Sequence, residues 1–259
     1  MQLADIPQEI LARIGHIKQI MLPRQGHTST VAILDTAEQR YVIKKTEHEL
    51  YNNWLSDEYK ALQILQDTGL PVPKTYSFYE DHQSRWLLMD YVDGVTLRGF
   101  LASQPGRLKK EQAVSSFGRC LKQIHEYPCP IEWQHAGYTW LDRMLTKAQH
   151  NLVHYDVDGN EELLTYLKEN RPSFVKPTLI HGDFTMDNVI VRNGEIVGII
   201  DWAGAACGDP RYDVALAIRP KANTFEDERD KSIFYEAYGR GRLTEEEYRY
   251  FEEGLYNFF

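Results

Sequence analysis

Thr178-Leu179-Ile180-His181-Gly182-Asp183-Phe184-Thr185-Met186-Asp187-Asn188-Val189-Ile190-Val191-Arg192-Asn193-Gly194-Glu195-Ile196-Val197-Gly198-Ile199-Ile200-Asp201 is the stretch that decides the fold. Asn193-Gly194 between two apolar runs is a strong hairpin signal, because a type I′ turn needs positive φ at both central positions. Counting back from the turn pairs Arg192 with Glu195, Val189 with Gly198 and Asn188 with Ile199. Asn188 and Asp201 therefore emerge at the same open end of one hairpin. Neighbouring strands lie about 4.8 Å apart, and two further residues add roughly 7 Å along the strand. An amide oxygen and a carboxylate at that spacing can share one cation. The pair suits Mg²⁺, a hard ion that takes oxygen ligands and completes its shell from water and phosphates. Asp183 lies five residues before Asn188, on the loop entering the hairpin, where it can approach a hydroxyl. The set reads as a base, two metal ligands and room for a nucleotide, the minimum for phosphoryl transfer. Asp201 alone would read as an ordinary strand-end carboxylate.

Upstream, the first ninety residues are strand-rich. Thr30–Leu34 and Arg40–Lys44 are β-branched and aromatic runs around a polar turn, which predicts a hairpin. Leu55, Glu58, Leu62 and Leu65 recur at helical steps until Gly69 and Pro71-Val72-Pro73 stop the helix. Trp86–Met89 reads as a buried strand leading to Asp90-Tyr91-Val92-Asp93-Gly94. Beyond Gly94 the pattern turns helical, with Val114, Phe117, Leu121 and Ile124 on one stripe and Leu163, Tyr166 and Leu167 on another. Gly94 is the expected seam, giving residues 1–94 as a small β-rich nucleotide-binding lobe with its hinge. Residues 95–259 form a larger helical lobe with the catalytic loop and acceptor site. The expected class is α+β.

His181-Gly-Asp183 with Asn188, followed by Ile200-Asp201 and Gly208-Asp209-Pro210-xx-Asp213, resembles the aminoglycoside phosphotransferase family of small-molecule kinases, especially its 3′-phosphotransferase-like members. The resemblance implies a bilobal protein-kinase-like fold with a catalytic β-hairpin. It also implies Asp183 as catalytic base, Asn188 and Asp201 as Mg²⁺ ligands, and His181 as a brace of the loop. A protein kinase would carry Arg between His181 and Asp183 and Phe-Gly after Asp201. Here Gly182 and Trp202-Ala203 stand there, which favours a small-molecule acceptor.

Such a kinase needs a strand lysine on the nucleotide phosphates, with an apolar residue two back covering the base. Side-chain alternation puts Lys44 on the face of Val42 and Lys45 on the face of Tyr41 and Ile43. Lys44 is the choice and Lys45 the solvated alternative; Glu58 is the expected helix partner, with a solvated helix charge as the alternative. Arg24–Thr30 holds a single glycine and no GxGxxG, so it reads as an ordinary polar turn in which backbone N–H groups and the Thr28 and Ser29 hydroxyls could still hold phosphate oxygens. The connector Asp90 to Val92 is expected, from the family alone, to meet the adenine edge. Asp209-Pro210 reads as a helix N-cap with Pro at the first helical position, and Asp209 and Asp213 as braces of the catalytic loop. His125, His135, His150 and His154 show no metal spacing.

Residues 225–259 hold ten acidic and five basic side chains. They form either a wall that attracts a polycationic sugar or simply solvated helix faces. The chain ends Leu255-Tyr256-Asn257-Phe258-Phe259, similar to 3′-phosphotransferases in which the C-terminal carboxylate helps line the acceptor site. That places Phe259 and Asn257 at the acceptor. Asn257 stands where an acid is usual, and Gly204 where an Arg follows the metal aspartate, so an antibiotic-resistance role is not fixed. A net charge of −9 argues against a general nucleic-acid partner. The longest aliphatic run, Val214–Ile218, is far short of the roughly 20 residues that span a bilayer. Three cysteines without CxxC spacing suggest reduced thiols, and the expected location is the cytoplasm. The leading reading is an ATP- or GTP-dependent, Mg²⁺-dependent phosphotransferase acting on a small-molecule hydroxyl. A nucleotide-binding regulator and a metal-dependent hydrolase are the other classes. The acceptor, the choice of nucleotide and the oligomeric state stay open.

Overall fold

Alternation along five strands builds the first of two units. The computed structural model describes residues 1–23, 28–134, 137 and 139–259. It divides into residues 1–94 with 197–204, and residues 95–196 with 205–259. The first unit runs α1 (Gln8–Ile14), β1 (Ile17–Met21), β2 (Thr30–Thr36), β3 (Arg40–Thr46), α2 (Glu49–Leu65), β4 (Thr75–Glu80) and β5 (Arg85–Asp90). The antiparallel sheet has the order β1-β2-β3-β5-β4. Ala32, Leu34, Tyr41, Ile43, Trp86 and Leu88 turn one face onto Ile6, Ile10 and Ile14. A strand sends successive side chains to opposite faces, so Lys44 and its cross-strand partner Leu87 point the other way, toward the side where α2 packs. In α2, Leu55, Leu62 and Leu65 are buried on one stripe, each worth about 1.5–3 kcal/mol of apolar burial. Glu58 lies on that same stripe and is buried with them.

The second unit contains β6 (Val95–Thr96), α3 (Leu97–Ala102), α4 (Arg107–Glu126), α5 (Trp140–His154), α6 (Glu161–Glu169), β7 (Thr178–Ile180), β8 (Val189–Arg192), β9 (Glu195–Ile199), β10 (Ala206–Gly208), α7 (Pro210–Ala217), α8 (Glu228–Tyr238) and α9 (Glu245–Tyr248). The chain crosses from this unit to the first within β9. The turn before β9 is the expected one, with Asn193 at φ 56° and Gly194 at 85°. After α9 the backbone continues through a π-helical turn, Arg249–Gly254, into a 3₁₀ turn, Leu255–Phe258. Trp140, Leu164, Leu167, Ile180, Tyr212, Leu216, Phe251 and Phe258 share one core of this unit. In α4, Val114, Phe117, Leu121 and Ile124 are buried as their spacing predicts. Gly118 lets α8 approach, since a Cβ there would lie 2.4 Å from the Phe234 carbonyl oxygen. In α6 the buried stripe is Leu164 and Leu167, while Tyr166 faces out.

One expectation needs correction. Cys129 and Cys207, 78 residues apart, are joined by a disulfide with Cα atoms 5.7 Å apart, so only Cys120 is a free thiol. Nothing in local spacing signals that pair, because β10 brings Cys207 to the Cys129 loop through tertiary packing. Several carboxylates of the acidic tail are engaged in ion pairs. Glu247 pairs with Arg211, Glu252 with Arg219 and Glu245 with Arg249. Among the described residues no helix is long and apolar enough to cross a membrane.

Candidate active site

In the first unit a buried charge cluster forms around Lys44. Its Nζ donates to both carboxylate oxygens of Glu58, at 2.8 and 2.9 Å, and also to Asp201. Burial alone would lower the pKa of Lys44, but the Asp201 and Glu58 carboxylates outweigh it and hold the ammonium above the usual lysine range. Glu58 is pushed upward by burial, with Lys44 opposing. Lys45 lies apart, pairing with Glu47 and resting its Nζ 5.0 Å over the Trp86 ring. Asp201 follows β9 at φ 63°, in the left-handed region that costs a non-glycine residue energy. Its flanks hold it there. Ile199 donates its N–H to Pro71, and Trp202 is fully buried with its Nε1 on the Ile199 carbonyl.

In the second unit the loop between β7 and β8 is fixed at several points. Asp213, fully buried in α7, accepts the backbone N–H groups of His181 at 2.7 Å and Gly182 at 2.8 Å. His181 Nδ1 accepts the Asp183 N–H at 3.2 Å. Phe184 is buried and stacks on Phe117, centroids 4.7 Å apart. Gly182 sits at φ 83°, a conformation natural to glycine, which explains why it stands between His181 and Asp183. Asn188 donates its Nδ2 to the Asp183 carbonyl (2.9 Å) and to Asp183 Oδ2 (2.7 Å), which turns the Asn188 amide oxygen the other way. Tyr256 donates to Asp183 Oδ1 at 3.3 Å, and burial together with the Asp183 charge pushes the phenol up to about 12. A cavity of about 160 Å³ opens here, lined among others by Asp183, Asn188, Arg98, Arg219, Lys221 and Tyr256.

Behind the loop, His125 is buried, with Nδ1 2.7 Å from the Tyr238 hydroxyl and Nε2 3.2 Å from Asp213. Burial holds its pKa below the usual 6.5, and the Asp213 carboxylate only partly offsets this. The unfolded chain therefore takes up this proton first as the pH falls. The stability tied to neutral His125 is complete above about pH 6.5 and declines below it. Urea denaturation at pH 7.5, 6.5 and 5.5 is expected to show that decline, flattened in His125→Gln. An equal slope in both proteins refutes the assignment.

The other expected positions fall as follows. Val42 shares the Lys44 face of β3 and is half-buried. Val92 packs on Gly198, where a Cβ would meet its Cγ1 at 2.5 Å. Asp90 is engaged by β4, since its carboxylate accepts from the Tyr76 hydroxyl and its N–H donates to the Lys74 carbonyl. Thr28 is exposed and Ser29 half-buried before β2, while the rest of that loop, Arg24–His27, lies outside the described residues, as does His135. Asp213 braces the loop between β7 and β8, whereas Asp209 caps α7 and grips Arg211. Neither Asn257 nor Phe259 lines the cavity. The Asn257 amide donates to the Glu253 carbonyl, and the tail instead contributes Tyr256. Arg98, Arg219 and Lys221 were not anticipated, because no motif marks them.

A family model described as a phosphotransferase enzyme family matches residues 20–253. An aminoglycoside 3′-phosphotransferase of Niallia circulans is 28% identical over 205 residues, covering 76% of each chain. Acyl-CoA dehydrogenase family member 11 of Rattus norvegicus is 26% identical over 209 residues, which cover 74% of this chain but 27% of that relative. The crystal structure of an aminoglycoside 3′-phosphotransferase of type VIII superposes with a TM-score of 0.81 at 20% identity, covering 99% of both chains. A spectinomycin phosphotransferase solved with ADP and spectinomycin gives 0.66 at 18% identity, covering 97% of this chain and 84% of that one. The fold is thus the α+β, kinase-like one of these nucleotide-binding enzymes. The chain belongs to the aminoglycoside phosphotransferase family and is a phosphotransferase that acts on small molecules.

Proposed function

We propose that the protein transfers the γ-phosphate of ATP to a hydroxyl of a small molecule, with Mg²⁺ as the metal, the first unit holding the nucleotide and the second the acceptor. The observation that carries this is the carboxylate of Asp183, fixed by Asn188 on the wall of the cavity of about 160 Å³. Asp183 accepts the proton of the acceptor hydroxyl as its oxygen bonds to the γ-phosphorus. The bond from that phosphorus to the bridging oxygen breaks, and ADP leaves with the electron pair. Lys44, oriented by Glu58, places its ammonium on the nucleotide phosphates and neutralises charge there. His181 and Asp213 keep Asp183 in position by fixing the backbone on either side of Gly182. The Asn188 amide oxygen and the Asp201 carboxylate are hard oxygen donors that would suit Mg²⁺, and the ion would supply neutralisation of phosphate charge. The relatives named for aminoglycosides and for spectinomycin support an alcohol as acceptor.

The test combines binding and turnover. With ATP and Mg²⁺ at about a hundredfold above Kd, the melting temperature is expected to rise by roughly 5–10 °C. ³¹P NMR is expected to show a new phosphate monoester when alcohols are supplied. Chelation by EDTA stops its formation, and Lys44→Met abolishes the thermal shift. A protein that neither binds ATP nor forms a monoester with any alcohol tested refutes the proposal.

A further inference from the structure

The cavity beside Asp183 brings together cations that the phosphotransfer step above does not use. Its lining places three cations, Arg98, Arg219 and Lys221, against two carboxylates, Asp183 and Asp187. Asp187 is taken by Arg98 in a two-point ion pair. Arg219 is held by Glu252 at 2.5 Å and lies 4.4 Å over the Tyr256 ring. Lys221 has no ion-pair partner among the described residues, although it faces the same cavity. It is not a loosely placed surface lysine. Its N–H donates to the Thr224 carbonyl at 3.0 Å, and the Thr224 N–H returns the bond at 2.8 Å. Thr224 and Phe225 are buried, and Phe225 is tied by its N–H to Asp230, itself paired with Lys110. Burial, with the nearby Arg219 and Arg98 charges, depresses the Lys221 pKa, and the Asp187 and Glu252 carboxylates offset this only in part, so a bound anion would favour the charged ammonium.

We propose that the acceptor is an alcohol that also carries an anionic group, a carboxylate or a phosphate, received by Lys221 with Arg219 and Arg98 beside it. This rests on the phosphotransfer reading above and names its acceptor class. The acidic residues of the tail do not argue against it, because Glu245, Glu247 and Glu252 are bound to arginines rather than directed at a ligand. A polycationic sugar would instead meet an ammonium that makes no ion-pair contact among the described residues, and like charges at close range discriminate against a partner.

The experiment compares glycerol, glycerate, glycerol 3-phosphate and kanamycin as acceptors for ATP, in wild type, Lys221→Gln and Lys221→Glu. The wild type is expected to show a kcat/KM at least tenfold higher for glycerate or glycerol 3-phosphate than for glycerol, and the better of these two identifies the anion. In Lys221→Gln that advantage shrinks at least tenfold, mainly through KM, and in Lys221→Glu it disappears. Equal or better use of glycerol or kanamycin, or an advantage untouched by Lys221→Gln, overturns the proposal while leaving phosphotransfer to alcohols intact. Should no acceptor be phosphorylated, the phosphotransfer reading fails for these alcohols and binding decides the charge preference. With a non-hydrolysable ATP analogue present, a melting-temperature rise with the anionic compounds that Lys221→Gln removes sustains the proposal. Absence of any such rise overturns it.

Discussion

Asp183→Asn is expected to lower kcat by about 10²–10⁴-fold while nucleotide binding and fold survive, the usual scale for removing a general base. The substitution keeps the shape and leaves one oxygen that can accept the Asn188 Nδ2–H now directed at Oδ2 from 2.7 Å. The backbone carbonyl of residue 183 still accepts from the same amide, and its N–H still reaches His181 Nδ1. What is lost is the ability to take up the hydroxyl proton. The amide also presents an N–H toward the Tyr256 hydroxyl, a group that donates to Asp183 Oδ1 in the native chain and must reorient to accept. A local rearrangement of that kind costs about a kcal/mol, too little to unfold the domain. The discriminating measurements are single-turnover rate and ATP-dependent melting on one preparation. A rate within tenfold of wild type removes Asp183 from the role of base, and loss of the ATP shift points to a collapsed loop.

How much of this was legible depends on whether the signal was local. The Asn193-Gly194 turn is read from two adjacent residues, and both adopt the positive φ that reading requires. The choice of Lys44 over Lys45 follows from the two-residue period of a strand, and Lys44 is the lysine that meets Glu58. Glu58 itself is on the buried stripe because it keeps step with Leu55 and Leu62. The misreadings involve either the facing of a short helix or contacts that sequence distance hides. Tyr166 and Leu164 differ by two positions on one helix, and the spacing alone cannot fix which of them faces the core. Arg98 reaches Asp187 across 89 positions and Arg211 reaches Glu247 across 36, so counting charges in the tail could not reveal that they were already spent on each other. The cavity walls come from β7–β8, α3, α7 and the C-terminal turn, and Lys221 becomes visible as a ligand-facing group only when those segments are assembled.

Asp213→Ala is expected to cost about 3–6 kcal/mol and to impair turnover in the fraction that stays folded. The carboxylate is fully buried and is the acceptor for two backbone donors, His181 N–H at 2.7 Å and Gly182 N–H at 2.8 Å, and its Oδ2 is also within reach of His125 Nε2. Alanine leaves those donors without an acceptor in a site too tightly packed for easy hydration. Each buried unsatisfied donor costs about 1–3 kcal/mol, and the total is a large share of the 5–15 kcal/mol that holds a typical protein folded. Asp213→Asn separates shape from charge. It fills the same volume and keeps one acceptor oxygen, but its amide N–H₂ faces a backbone N–H that needs an acceptor, so an intermediate loss of about 1–3 kcal/mol is expected. Denaturant unfolding ranks the three proteins, and kcat is then read well below the lowest melting temperature so that unfolding does not enter. If the brace acts as described, the two variants lose turnover in the order they lose stability, because the same two N–H groups set the backbone from which Asp183 projects. A stable Asp213→Ala protein with full turnover means that the Phe184 stack on Phe117, together with the Arg98 N–H held by the Met186 carbonyl, suffices to fix the loop.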